Sequence, residues 1–142
     1  MHAFSMRMQT VCVQLPDKVL HLLRNRGITY LATLMPDGSP QLTQTWVDTD
    51  GEFVIINTVE GHQKVRNIRR DPRVAVTVAD PEHPRDFVQL RGVVDHESTE
   101  GAAEHIELIS QRYLGEPYSW WGGRDQIRVM LYIRVDKIGN LR

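Results

Sequence analysis

From Ile28 to Asn57 the chain repeats one grammar: a short run of strand-forming residues, a turn signal, another run. Ile28–Leu34 is apolar and partly β-branched, and Pro36-Asp37-Gly38 follows it. There the proline sets φ and the glycine tolerates positive φ, so the three residues read as a turn. Gln41–Val47 then alternates strictly, with Gln41, Thr43, Thr45 and Val47 on one side and Leu42, Gln44 and Trp46 on the other. A period of two is that of a strand, whose successive side chains point to opposite faces. Asp50-Gly51 is a second hairpin signal and leads into Phe53–Asn57. The segment predicts a three-stranded antiparallel meander.

The grammar changes after Asn57. Glu60–Arg70 places Val65 and Ile68 at helical spacing among charges, and Asp71-Pro72 stops it, because the residue before a proline leaves the helical region. Arg73–Ala79 (RVAVTVA) alternates as a strand. Pro81 and Pro84 mark a loop, and Phe87–His96 is another strand whose Gly92 suggests a bulge or a barrel corner. Glu100–Tyr113 is helical, with Ala102, Ala103, Ile106, Ile109 and Ser110 on one face, and Gly115 and Pro117 end it. Ile127–Val135 alternates again. Upstream, Pro16 opens a short helix with an apolar stripe of Val19, Leu20, Leu22 and Leu23, closed by Gly27. That helix is expected to plug a core. Residues 1–14 read as a variable N-terminal arm to one domain spanning 1–142. Six strands joined mostly by hairpins, with two or three short helices, predict a mainly β barrel, since closure removes edge strands.

Composition excludes several functions. With 41% hydrophobic and 25% charged residues the 142-residue chain is an ordinary globular mixture. The formal net charge of −1 gives no basic field for nucleic acid. No run approaches the roughly 18 apolar residues of a membrane span. Cys12 is the lone cysteine, so no internal disulfide forms, and a cytoplasmic protein is expected. Cys12 sits in the apolar run Val11–Val13, where a thiol behaves as a small hydrophobe, and no G-x-S-x-G elbow is present. The six histidines include no i, i+4 pair, so no metal site is expected. No catalytic residue is assigned.

The chemically informative segment is Asn57–Asn67. A strand ends, Gly61 permits a close turn, and a helix begins, presenting unpaired amides and the positive end of its dipole. Thr58, His62, Gln63 and Lys64 add donors and a charge. Spacing alone leaves two readings open: a phosphate site, or a solvated basic helix whose Lys64, Arg66, Arg69 and Arg70 face water.

The run FVIINTVEGHQKVRNIRRDPRVAVTV (Phe53–Val78) resembles the pyridoxamine 5′-phosphate oxidase-like FMN-binding split-barrel superfamily, and within it the small branch of deazaflavin (coenzyme F420)-dependent oxidoreductases. ITYLATLMPDGSPQLTQTWVDTDGEF is similar to that branch's first two hairpins. FVQLRGVVDH, a helix ending in RYLGEPYSWW, and IRVMLYIRVDKI follow its remaining order, so the likeness covers about Leu15 to Ile138.

The resemblance implies a six-stranded antiparallel split barrel, a homodimer with the cofactor at the subunit interface, and hydride transfer between coenzyme F420 and a small conjugated substrate. As alternatives it admits an FMN-dependent oxidase or reductase of the same fold, or a flavin- or tetrapyrrole-binding protein without turnover. The family's phosphate-gripping lysine falls on Lys64. The two positions before it, often arginine or hydroxyl residues, hold His62 and Gln63 here, which weakens the anionic clamp. Stacking of the tricyclic ring on the second and third strands points to Gln44, Thr45, Trp46, Ile56 and Asn57, beside Thr58 and Gly61. The partner's C-terminal loop, with Trp120, Trp121 and Arg128, is expected to cover the ring; paired tryptophans also serve as packing anchors.

Overall fold

Each run of period two becomes a strand, but not in the expected neighbourhood. The computed structural model describes residues 13–140, so Cys12 and the arm before it lie outside the described residues. Val13 at the end of that arm already belongs to the domain, its N–H donating to the Val135 carbonyl at 3.0 Å. Strands β1 (Ile28–Leu34) and β2 (Pro40–Thr45) form the first hairpin, with Gly38 at φ 87° in its turn. Strands β3 (Asp48–Thr49) and β4 (Val54–Val59) form the second, around Gly51 at φ 98°. Helix α2 (Gln63–Arg70) follows α1 (Asp17–Arg24) in chain order, then β5 (Arg73–Ala79), β6 (Phe87–Ser98), α3 (Ala102–Leu114) and β7 (Arg128–Gly139).

The meander does not form. The single antiparallel sheet runs β2-β1-β5-β6-β7-β4-β3, so the two hairpins that are adjacent in sequence sit at opposite edges. The run expected as one strand, Gln41–Val47, breaks after Thr45, and the chain restarts as β3 on the far edge. Seven strands replace the expected six for this reason. At a strand spacing of about 4.8 Å, the edges of a flat seven-stranded sheet would stand roughly 29 Å apart. The three Cα steps from Thr45 to Asp48 reach at most about 11 Å. The sheet therefore curls until its edges nearly meet, giving the half-barrel.

Tyr113, in the last turn of α3, ties that closure. Its hydroxyl donates to the Gly27 carbonyl at 2.8 Å and accepts from the Val47 N–H at 3.1 Å. One side chain thus links the entry to β1 with the crossing between β2 and β3. Trp46 stacks on the Tyr113 ring at 5.2 Å between centroids.

The hollow of the curl is filled by the inward set of each strand, among them Leu31, Ile56, Val76, Leu90, Leu131 and Ile133, all buried. Helix α1 adds Val19, Leu22 and Leu23, plugging one side of this core as expected. Helix α3 buries Ala102, Ile106, Ile109 and Ser110, while Ala103 faces out. On β2 the alternation holds with an inverted chemistry. Gln41, Thr43 and Thr45 point inward and Leu42 is 66% exposed, because Gln41 accepts from Thr33 and from buried Asn67. Among the described residues no helix is long and apolar enough to cross a membrane.

Gly92 marks the expected corner. The β6–β7 register shifts between Arg91 and Gly92, and a Cβ at Gly92 would lie 1.9 Å from the Arg134 carbonyl oxygen. Backbone meets backbone there, so Gly92→Ala is expected to lower unfolding free energy by about 1–3 kcal/mol in chemical denaturation. Tyr113→Phe leaves the Val47 amide and Gly27 carbonyl without their partner. Its expected cost is about 1–3 kcal/mol by the same measurement.

Candidate functional site

Strand register starts the site. On the β4–β7 ladder Val59 faces Arg128 and Asn57 faces Met130, which brings the first residue of β7 beside the polar residue of β4. Arg128 is only 8% exposed. Its Nε–H donates to Asn57 Oδ1 at 2.9 Å, one Nη to the Tyr118 hydroxyl at 3.1 Å, and the other to the Asn57 carbonyl at 3.4 Å. The guanidinium also lies over the Tyr118 ring, 5.2 Å from its centroid. A guanidinium has five N–H donors, so two remain uncommitted, and no carboxylate pairs with it among the described residues. Burial without a counter-ion pushes the Arg128 pKa below its ordinary value.

A second cation lies within reach of its charge. Lys64, in the first turn of α2, is half-buried, and no hydrogen bond or ion pair among the described residues holds its ammonium. Burial, and then the charge of Arg128, push its pKa down. His62, the N-cap of α2, is likewise pushed down by burial, then by Lys64, Arg128 and Arg66. The His62 side chain does not cap the helix, and the first turn carries no acidic residue. Lys64 and the uncapped amides of an eight-residue helix thus share one helix start, whose first turn holds no acidic residue.

Behind Arg128 runs a polar chain that hairpin reading did not foresee. Because Asn57 Oδ1 accepts from Arg128, its Nδ2 is the donor, to the Ala102 carbonyl at 2.8 Å and to His105 Nδ1 at 3.0 Å. His105 Nε2 then carries the proton and donates to Asp48 Oδ2 at 2.9 Å, while Arg112 donates to Asp48 Oδ1 at 2.8 Å. Burial raises the Asp48 pKa, but the hydrogen bonds from His105 and Arg112 outweigh it and hold the carboxyl below the usual range.

Arg128, Asn57 and Tyr118 line a cleft of about 490 Å³, a volume suited to a small-molecule cofactor. Its walls include Gln44, Thr45 and Trp46 from the end of β2 and the crossing, Asn57 and Arg128 from the ladder, and Trp121. Six of the expected site residues thus converge. Trp121, 70% exposed, and Arg128 line the cleft of their own chain, where the expectation had them reaching a partner's. The other six divide. Ile56 and Thr58 share the inward face of β4 and are buried on the core side, because the period of two turns them away from Asn57. Gly61 and His62 line a neighbouring recess of about 410 Å³ with Asp125 and Gln126. Gln63 donates to Asn67 and accepts from Arg66 within α2. Lys64 stands beside Arg128 electrostatically. Trp120 is occupied elsewhere, its indole N–H donating to Glu107 at 2.9 Å. The residues that sequence reasoning missed are Asp48, His105, Tyr113 and Tyr118. Tyr113 had a signal, since it continues the α3 stripe of Ala102, Ile106 and Ile109 by one further turn.

A carboxylate with a depressed folded-state pKa contributes stability above its unfolded value, near 4, and loses it as pH falls through the folded value. Native protein is therefore expected to lose stability from about pH 4 downward. Asp48→Asn should be less stable at neutral pH and lose less on acidification, as thermal melts across a pH series will read.

Solved structures share this fold. An F420 reductase aligns with a TM-score of 0.72 and 30% identity, covering 87% of this chain and 98% of its own. A conserved hypothetical protein from Mycobacterium tuberculosis gives 0.68 and 27%, covering 89% and 84%. A candidate pyridoxamine 5′-phosphate oxidase from Listeria innocua gives 0.65 and 25%, covering 86% and 94%. The family model described as pyridoxamine 5′-phosphate oxidase matches residues 15–140, nearly the whole domain, and the chain belongs to that family.

Proposed function

We propose that this protein is an oxidoreductase subunit that holds a phosphate-tailed tricyclic cofactor, coenzyme F420 in the first place, in the cleft between β2, β4, β7 and α3. The observation that carries the reading is the buried Arg128 in the wall of the cleft with two uncommitted N–H groups, its charge reaching a half-buried Lys64 that is unpaired among the described residues. Removing cations from water without a counter-ion is costly, and a bound phosphate offsets that cost through charge-assisted hydrogen bonds. The donor set fits the group: two cations and uncapped helix amides for an anion, and aromatic walls for a flat ring.

When bound, such a cofactor supplies the hydride, and the protein supplies orientation, electrostatics and exclusion of water. Lys64 and Arg128 hold the anionic tail. Trp46, braced on Tyr113, and Tyr118 and Trp121 present apolar faces to the ring system and keep water off it. Gln44 and Thr45 sit on the same wall and offer polar contacts. The F420 reductase likeness at 30% identity favours F420. Membership of the pyridoxamine 5′-phosphate oxidase family supports FMN as the second reading. In both readings a homodimer completes the site, its second copy closing the open side of the cleft, and the substrate is a small conjugated molecule.

Titration of purified protein with F420 and with FMN, followed by fluorescence, tests this. Saturable binding of one is expected, and binding of neither overturns the reading. Lys64→Ala should weaken that binding by about 1.5–3 kcal/mol, roughly ten- to hundredfold. Unchanged affinity would place the phosphate elsewhere. Reduction of a panel of conjugated acceptors by the loaded protein separates an enzyme from a carrier.

A further inference from the structure

We infer that His105, held by Asp48, is a positioning residue for the anion site: it fixes the amide of Asn57 and thereby the direction in which Arg128 presents its two free N–H groups. The inference rests on the proposed function for its ligand but not for its geometry. The relay is continuous, running Asp48 Oδ2 to His105 Nε2 at 2.9 Å, His105 Nδ1 to Asn57 Nδ2 at 3.0 Å, and Asn57 Oδ1 to Arg128 Nε at 2.9 Å. Each link dictates the polarity of the next. A carboxylate only accepts, so Nε2 must donate; the Arg128 Nε–H needs Asn57 Oδ1, so the amide presents Nδ2 to His105, and Nδ1 must accept. Turning the amide over would set an Asn57 N–H against the Arg128 Nε–H, donor against donor. The Ala102 carbonyl adds a second acceptor for Nδ2, so the backbone at the start of α3 enforces the same orientation.

The chain of bonds does what a carboxylate beside Arg128 would otherwise do, without neutralising it. An aspartate in contact with the guanidinium would fix its direction and cancel its charge. Here the carboxylate stands two side chains away and is matched by Arg112 on its other oxygen at 2.8 Å. The guanidinium is oriented and stays available to an anion. Arg69 is the contrast on the surface, where Glu60 and Glu97 both pair with it and leave it no such role.

Two experiments test the assignment. Long-range 1H–15N spectra of the native protein should show His105 as the Nε2–H tautomer; an Nδ1–H tautomer overturns the inference without any variant. Binding of F420, FMN and inorganic phosphate is then compared across His105→Phe, Arg128→Lys and the double variant, read on whichever of the three the native protein binds. His105→Phe should lower affinity about tenfold in the native background and have little effect in the Arg128→Lys background. His105→Gln, which keeps an acceptor next to a donor, should restore most of the loss. Equal losses in both backgrounds, or no loss in the native one, overturn the positioning role while leaving the cofactor reading intact. Absence of FMN and phosphate binding by the native protein, with no F420 binding, would overturn both.

Discussion

The crossing at Trp46 and Val47 is the constraint on which the molecule turns. Two residues carry the chain from one edge of a seven-stranded sheet to the other, and the sheet must curl to allow it. The curl creates an inside, which the apolar faces of β1, β4, β5, β6 and β7 fill together with α1. It also creates a seam. Tyr113 bridges the seam from α3, bonded to Gly27 on one side and Val47 on the other. The cleft opens along that line, between the end of β2 and the β4–β7 ladder, and Trp46 is in its wall because it is in the crossing. Site and closure are thus products of one geometric demand.

Charge is distributed on the same plan. Acids on this molecule mostly have a use of their own: Asp71 pairs with Arg73, Glu60 and Glu97 with Arg69, Asp48 with His105 and Arg112. Exposed pairs of this kind contribute little to stability. What matters is that none of these carboxylates stands against Arg128 or Lys64. A buried cation with no carboxylate against it among the described residues is a cost to the fold, and the fold accepts it in the wall of an aromatic cleft. Such a local conflict between stability and environment is where functional sites are found.

Local features of the chain were legible without tertiary structure. Both turns lie where Pro36-Asp37-Gly38 and Asp50-Gly51 put them, Gly92 is at a bulge, and the three helices occur where apolar spacing indicated, with ends displaced by no more than about three residues. Ends move because capping competes with whatever the neighbouring backbone must do. Lys64 and the turn before α2 were visible because a strand, a glycine and a helix start lie within a few residues of each other. The resemblance to split-barrel oxidoreductases supplied what spacing could not, namely which strands the cofactor lies against.

By itself, then, the sequence determined six of the seven strands, the turns, the helices and the basic helix start, all of which depend on interactions within about a dozen residues. The tertiary structure alone decided that the run Gln41–Val47 leaves its strand after Thr45 and that Asp48–Thr49 pairs at the opposite sheet edge, because that pairing depends on where β4 lies, which its own pairing with β7 sets. It likewise decided that Ile56 and Thr58 turn to the core, away from Asn57. The relay from Asp48 through His105 and Asn57 to Arg128 joins residues 48 to 71 positions apart. No local pattern encodes such a chain. It exists because curling the sheet brings the start of β7, the middle of β4 and the inner face of α3 to one place, where each buried donor must find its acceptor.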